Sequence, residues 1–260
     1  MPMNFHDPDN RNSYTTRKAD VSWLELISEH MDLKGKQAVD IGCGGGIYTR
    51  ALLDLGAEHV TGVDFSAEML KGAASNLAVV DQKVTLLQGN AYKTPLTSKR
   101  YDIVLERALI HHLMDLPVCF AEAHRILKPG GTLIVQDRTP EDCLQPGSDT
   151  NIRGFFFEKY PRLAKNEVSR RHHSEEVTKA LLAGGFHEIR ELKLWETRAV
   201  FDHPEALFAD LRRRTGRSIL HELSGAELEE LIVYIAGKMN CDGSGPIIEK
   251  DPWTIWLAQA

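Results

Sequence analysis

The sequence predicts an α/β fold, a mostly parallel sheet covered by helices on both faces. Three observations predict it. Short apolar runs alternate with amphipathic stretches of about ten residues, the rhythm of a parallel sheet with crossover helices. The first run ends in an acid and a glycine-packed turn, Asp40-Ile41-Gly42-Cys43-Gly44-Gly45-Gly46. The second run ends in another acid, Asp64.

Composition sets the bounds. The 260 residues suffice for one large α/β domain with insertions. Hydrophobic content of 42% and charged content of 26% are ordinary for a globular chain. A formal net charge of -6 argues against nucleic-acid binding, which needs a basic face. No apolar run approaches the ~18 residues of a membrane span, and the polar stretch Met1 to Ser22 lacks the apolar core of a signal peptide. Cys43, Cys119, Cys143 and Cys241 lie far apart with no Cys-x-x-Cys pair. That spacing argues against a zinc or other metal site and against a disulfide framework, so a reduced, cytoplasmic setting is expected.

The elements follow in order. A first helix is expected from near Asp20, with Trp23, Leu24, Ile27 and Met31 at helical spacing. Lys36 to Ile41 reads as the first strand. The helix after the glycine turn places Tyr48, Ala51, Leu52 and Leu55 on one face and stops at Gly56. His59 to Asp64 is the second strand, and Ser66 is suited to cap a helix striped by Met69, Leu70, Ala73 and Leu77. Val84 to Gln88 and Tyr101 to Leu105 are the third and fourth strands, the latter running into Glu106-Arg107-Ala108. A helix follows Pro117 with Phe120, Ala123 and Leu127 inward, then a sharp turn at Lys128-Pro129-Gly130-Gly131 and a fifth strand, Thr132 to Gln136.

Residues 138–173 break the rhythm. Pro140, Pro146 and Gly147 read as punctuation of an irregular insertion that helps roof the active site, with Phe155-Phe156-Phe157 either part of that roof or a buried anchor for the segment. A helix opens at Ser174-Glu175-Glu176, and Phe186 to Phe201 supplies the sixth strand. A helical insertion follows, with a start at Asp202-His203-Pro204-Glu205 and a capping box at Ser224-Gly225-Ala226-Glu227. Leu228, Leu231, Ile232, Ile235 and Met239 stripe its last helix, and Trp253 to Leu257 is the final strand.

The glycine turn decides the chemistry. A dinucleotide fingerprint counted from Gly42 and Gly44 needs its third glycine at position 47, where Ile47 stands. The spacing Asp40-x-Gly42-x-Gly44-x-Gly46, with Asp64 closing the next strand, resembles motifs I and II of the class I S-adenosylmethionine (SAM) dependent methyltransferases. The likeness covers residues 35–137 well and 174–194 more loosely, and it is to the small-molecule branch that includes the quinone-biosynthesis methyltransferases. It implies a Rossmann-like seven-stranded sheet whose last strand is antiparallel, SAM as methyl donor and S-adenosylhomocysteine as product. A dehydrogenase is disfavoured by Ile47. The Asn-Pro-Pro-Tyr type signature of base-methylating enzymes is replaced by Glu106-Arg107-Ala108-Leu109.

The resemblance also implies a site at the carboxyl ends of the strands. Asp64 can accept from both ribose hydroxyls, because an ionised carboxylate is acceptor-only with two oxygens. Asn90 can offer its amide to the adenine edge, and Asp40 is placed to hold the cofactor's ammonium. Glu106 and Arg107 would border the methionine portion, and Met69 either touches adenine or packs in the core. Gly42, Cys43, Gly44, Gly46, Phe65, Gly89, Ala91 and Ala108 complete the implied cofactor set. Tyr14, Thr15 and Arg17 precede the first helix, where related methyltransferases cover the cofactor, so they read as a lid or as a polar tail. His111 and His112 follow the fourth strand; His111, nearer the strand end, is the favoured general base if the acceptor must lose a proton.

The expected organisation is thus a single methyltransferase domain over 1–260. Residues 1–34 hold a lid and first helix, 35–137 the cofactor core, and 138–173 and 202–247 insertions forming a substrate cap. The expected reaction is methyl transfer to a small molecule. A basic groove between Arg153, Arg170, Arg171 and Arg212 would instead favour a protein or tRNA acceptor, and a closed pocket would favour SAM binding without catalysis. The motifs name neither the acceptor atom nor an oligomeric state.

Overall fold

The computed structural model describes residues 18–214, 216–239 and 245–260. Tyr14, Thr15 and Arg17 lie outside them.

Among the described residues, seven strands form one sheet: β1 (Gln37–Ile41), β2 (His59–Asp64), β3 (Val84–Gln88), β4 (Tyr101–Arg107), β5 (Leu127–Asp137), β6 (His187–Phe201) and β7 (Ile247–Gln259). Their order is β3-β2-β1-β4-β5-β7-β6. β1 pairs in parallel with β2 and with β4, β2 with β3, and β4 with β5, whereas β7 runs antiparallel to β5. The expected mostly parallel sheet with an antiparallel last strand is therefore present. The chain builds outward from β1 to β3 on one side and from β4 onward on the other, so the strand order reverses between β1 and β4. That crevice is where open α/β sheets take their ligands.

The helices are α1 (Val21–His30), α2 (Ile47–Asp54), α3 (Ala67–Asn76), α4 (Leu116–Ile126), α5 (Pro140–Cys143), α6 (Ile152–Lys159), α7 (Pro161–Val168), α8 (Ser174–Ala183), α9 (Pro204–Arg213) and α10 (Gly225–Lys238). Asp20 caps α1 by accepting from the Ser22 N–H, and Ser66 caps α3 by accepting from the Met69 N–H. The turn expected before the fifth strand sits inside β5. Tyr101 pairs with Leu127 and Ile103 with Thr132, so Lys128 to Gly131 bulge out of the ladder.

Residues 138–173 are not the irregular stretch expected from their prolines and glycine. They form α5, α6 and α7. Pro140 and Pro161 open helices, because proline at the first helical position gives up an N–H that has no intrahelical partner there. Thr139 and Asp142 add a reciprocal capping box to α5.

The chain divides into two compact units. The first comprises, among the described residues, everything up to Asp137, His172 to Lys193, and Thr254 to Ala260. Its core joins the inner faces of the parallel strands (Val39, Val104, Leu133, Val135) to α4 and α8 (Phe120, Ala123, Val177, Leu181).

The second unit comprises Arg138 to Arg171 and Leu194 to Trp253, and so takes in most of both segments read as insertions. Phe155, Phe156 and Phe157 lie in a core with Leu207, Leu211, Leu231 and Ile235. Beside it runs a buried ion network. Arg217, only 2% exposed, donates through Nη2 to Glu249 at 2.7 Å and to Asp210 at 3.0 Å.

Candidate active site

The site begins with the backbone of the glycine turn. Gly42 and Cys43 donate their N–H groups to the Val63 carbonyl at 2.7 and 3.1 Å, which continues the β1–β2 ladder past the end of β1. Gly44 then turns back with φ at +51° and donates to Asp64 Oδ2 at 2.9 Å. A Cβ built at Gly44 would meet nothing within 4 Å, so the backbone there faces open space. Gly46, with φ at +79°, opens α2, and a Cβ on it would stand 2.7 Å from Leu77. One glycine leaves room for a ligand and the other lets two helices approach.

The two strand-end acids differ. Asp64 is held by backbone: Oδ1 accepts from the Ser66 N–H at 2.8 Å, and Oδ2 from Gly44. An ionised carboxylate is acceptor-only, with two oxygens that suit ligand hydroxyls. Asp40 is 2% exposed and accepts from Thr49 Oγ1 at 2.7 Å. Burial, and secondarily the charge of Asp64, raise its pKa to about 6, against the pull of Thr49 and Arg107. An ammonium beside Asp40 would relieve that penalty.

These groups open onto one cavity of about 480 Å³, within the ~300–1,000 Å³ range of small-molecule sites. Of the expected cofactor residues, Asp40, Gly42, Cys43, Gly44, Asp64, Phe65, Met69, Gly89, Asn90, Ala91, Arg107 and Ala108 line it, and so does His111. Gly46 and Glu106 do not. Gly46 lies under α2 and α3. Glu106 is fully buried and accepts from the Cys119 thiol of α4 at 3.4 Å. Its neighbour Arg107 takes the cavity side and lies 3.9 Å from the Tyr48 ring centre.

Sequence reasoning passed over several lining residues, among them Ile47, Tyr48, Tyr92, Leu109 and Leu113. Tyr48 was read as one residue of an apolar helix face; its position in the first turn after the glycines was the available signal. Tyr92 ties the wall together, its hydroxyl accepting from the N–H groups of Met114 at 2.8 Å and Asp115 at 3.2 Å. Asn90 Oδ1 is taken up by the Tyr92 N–H at 2.9 Å, which leaves its amide N–H₂ for a ligand. Met69 lines the cavity and is 1% exposed.

His111 lies on a short 3-10 turn, Ile110–His112. Ala108, at φ +50°, donates to the Gln136 carbonyl at 2.8 Å and carries the chain from β4 alongside the end of β5. There Asp137, its side chain 1% exposed, accepts from the His111 backbone N–H at 3.2 Å and stands 2.8 Å from ring Nδ1. Asp137 was not singled out from sequence, although it closes β5 as Asp40 and Asp64 mark the ends of β1 and β2.

The donor set suits a ligand carrying adjacent hydroxyls, an ammonium and a flat ring. Acids stand at two strand ends, an open glycine backbone lies between them, and Phe65, Met69 and an asparagine amide form a further wall. SAM has these groups, and the residues present fit it.

Comparison with known proteins agrees with this reading. Residues 39–135 match the family model described as a methyltransferase domain. The chain is 34% identical over 128 residues to a ubiquinone biosynthesis O-methyltransferase of Marinobacter nauticus, a match over 46% of this chain and 52% of that protein. It is 32% identical over 152 residues to a demethylmenaquinone methyltransferase of Listeria monocytogenes, over 57% of this chain and 63% of that protein. The chain thus spans between half and two thirds of these relatives. Among solved structures, phosphoethanolamine N-methyltransferase 2 of Haemonchus contortus in complex with SAM superposes with a TM-score of 0.60 at 19% identity, over 99% of this chain and 60% of that one. The chain has the fold of the SAM-dependent methyltransferases, and its residues 39–135 match a methyltransferase domain.

Proposed function

We propose that the protein transfers a methyl group from SAM to a small-molecule acceptor. The observation that carries this is the cavity at the β1–β4 crevice, with Asp40, Gly44 and Asp64 arranged along it. In this reading Asp64 accepts from the ribose hydroxyls, Asp40 faces the ammonium, and the Asn90 amide meets the adenine edge. Phe65 and Met69 give the flat ring an apolar wall. When bound, SAM supplies an electrophilic methyl group on a sulfonium sulfur, which takes back the bonding pair as the acceptor attacks. The chain's own part is orientation, which supplies roughly 7–11 kcal/mol where two reactants are well aligned.

Support for a small acceptor comes from the arginines that could have formed a basic groove. Arg153, Arg170 and Arg171 all pair with the fully buried Glu167, at 3.0, 2.6 and 2.6 Å. Arg212 pairs with Glu229 at 2.7 Å. Charges committed to internal partners offer little to phosphates. The names of the two curated relatives point to quinone biosynthesis, which also favours a small acceptor over a protein or tRNA.

His111 is the base candidate in the same reading. Calorimetric titration with SAM and with S-adenosylhomocysteine tests the donor, and binding of neither at millimolar concentration overturns the proposal. Product formation across quinols, amines, thiols and carboxylates then identifies the acceptor; bound SAM with no turnover on any class would favour a binding protein. His111→Ala is expected to leave SAM affinity nearly unchanged while lowering turnover ~10²-fold or more.

A further inference from the structure

We propose that Asp137 is a positioning residue. It holds His111 in the tautomer protonated at Nδ1, so that the unprotonated Nε2 faces the cavity as a hydrogen-bond acceptor. The inference rests on the methyltransferase reading above and narrows the acceptor to a group that presents a proton, such as a hydroxyl.

The argument is one of hydrogen-bond bookkeeping at a buried carboxylate. An ionised carboxylate only accepts, so whatever stands against it must donate. Asp137 stands 2.8 Å from His111 Nδ1 through Oδ2 and 3.1 Å through Oδ1. The Oδ2 atom also accepts from the His111 backbone N–H at 3.2 Å. Nδ1 must therefore carry a hydrogen. In a neutral imidazole the other nitrogen is then a lone-pair acceptor, and the bond made by one ring nitrogen sets the state of the other. Nε2 makes no hydrogen bond to any described residue, and the ring lines the cavity.

The mount is rigid enough for this to matter. The turn carrying His111 is closed by Leu113 N–H to the Ile110 carbonyl at 3.0 Å. His172 Nε2 stands 3.1 Å from the same carbonyl, anchoring the turn from two residues before α8. The His112 ring packs on His111 at 4.0 Å between centres. An acceptor group with a proton finds a partner at Nε2; a carboxylate or a carbonyl meets a lone pair. When the acceptor gives up its proton, Nε2 takes it, and the imidazolium that forms is held against the Asp137 carboxylate, the role an aspartate plays beside a catalytic histidine.

Asparagine at 137 reverses the logic. Its single oxygen can serve the His111 backbone N–H, and its N–H₂ then faces Nδ1, which must become the lone-pair nitrogen. Nitrogen NMR of the ¹⁵N-labelled histidine rings in the full chain reads this directly, with the His111 signal assigned by its loss in His111→Gln. The wild-type ring is expected as the Nδ1–H form and the Asp137→Asn ring as the Nε2–H form. A wild-type ring protonated at Nε2 overturns the inference, even where the variant does not fold. An Nδ1–H ring in a folded Asp137→Asn variant removes Asp137 as its cause. SAM titration of the same samples keeps the two questions apart: absent binding sinks the methyltransferase reading, whereas the ring spectrum alone decides the role of Asp137.

Discussion

Glu106 and Arg107 are adjacent on β4, and a strand sends adjacent side chains to opposite faces. Both were expected at the cofactor; only Arg107 lines the cavity. Glu106 pays for its place with a pKa raised to about 7 by burial, eased only by the Cys119 thiol. A raised acid favours the folded state below its unfolded pKa, and that contribution is lost as pH rises through about 7. Glu106→Gln should therefore stabilise the protein at pH 8 and change little at pH 5. The shift bounds the gain at about 3 kcal/mol, with roughly 2–4 °C of melting temperature per kcal/mol. Equal melting shifts at the two pH values would refute a strained carboxylate. Asp40 gives a second pH signature. Its pKa of about 6 in the ligand-free protein means that the carboxylate is protonated below that value. SAM affinity is expected to weaken as pH falls below about 6 in wild type and to lose that dependence in Asp40→Asn, as titration calorimetry at several pH values would show.

At the scale of elements, local chemistry explains both what was legible and what was not. Ser224 and Glu227 were readable as a capping box, and each satisfies the other's backbone N–H at the start of α10, at 3.2 and 2.9 Å. Ser224→Ala should cost about 1 kcal/mol, measured by denaturant unfolding. A cost near zero would mean that the packing of Leu228, Leu231 and Ile235 alone fixes that helix. The parallel strands were legible because an acid or a glycine stands within a residue of each one's end. Residues 138–173 misled because proline carries two meanings, helix breaker in the interior and helix opener at the first position. Which meaning holds depends on tertiary partners such as the buried triple phenylalanine, and no local pattern reports them. Asp137 escaped for a related reason: a lone acid after a strand becomes informative only once His111 is seen against it.

For the whole molecule, the division into two units could not be read as a boundary, since each unit is assembled from segments distant in sequence. β6 and β7 contribute residues to both, and nothing in their composition marks where one set of contacts ends. A ligand that binds only the folded cavity stabilises the fold by mass action, by about 2.7 kcal/mol at a hundredfold excess over Kd. Thermal melting with SAM at that excess should rise by several degrees in wild type and much less in Asp64→Ala. An unchanged wild-type melt would mean that SAM does not bind the folded state.

The sheet order carries a consequence for how the protein is made. β7, the last strand in chain order, lies between β5 and β6. While the ribosome is still extending the chain, β5 and β6 have no common neighbour, and each presents an open edge of unpaired backbone. The nascent core can form its β1–β4 crevice early, but the sheet closes only after residues through Gln259 have left the exit tunnel. A chain stalled after β6 would be the species most in need of a chaperone.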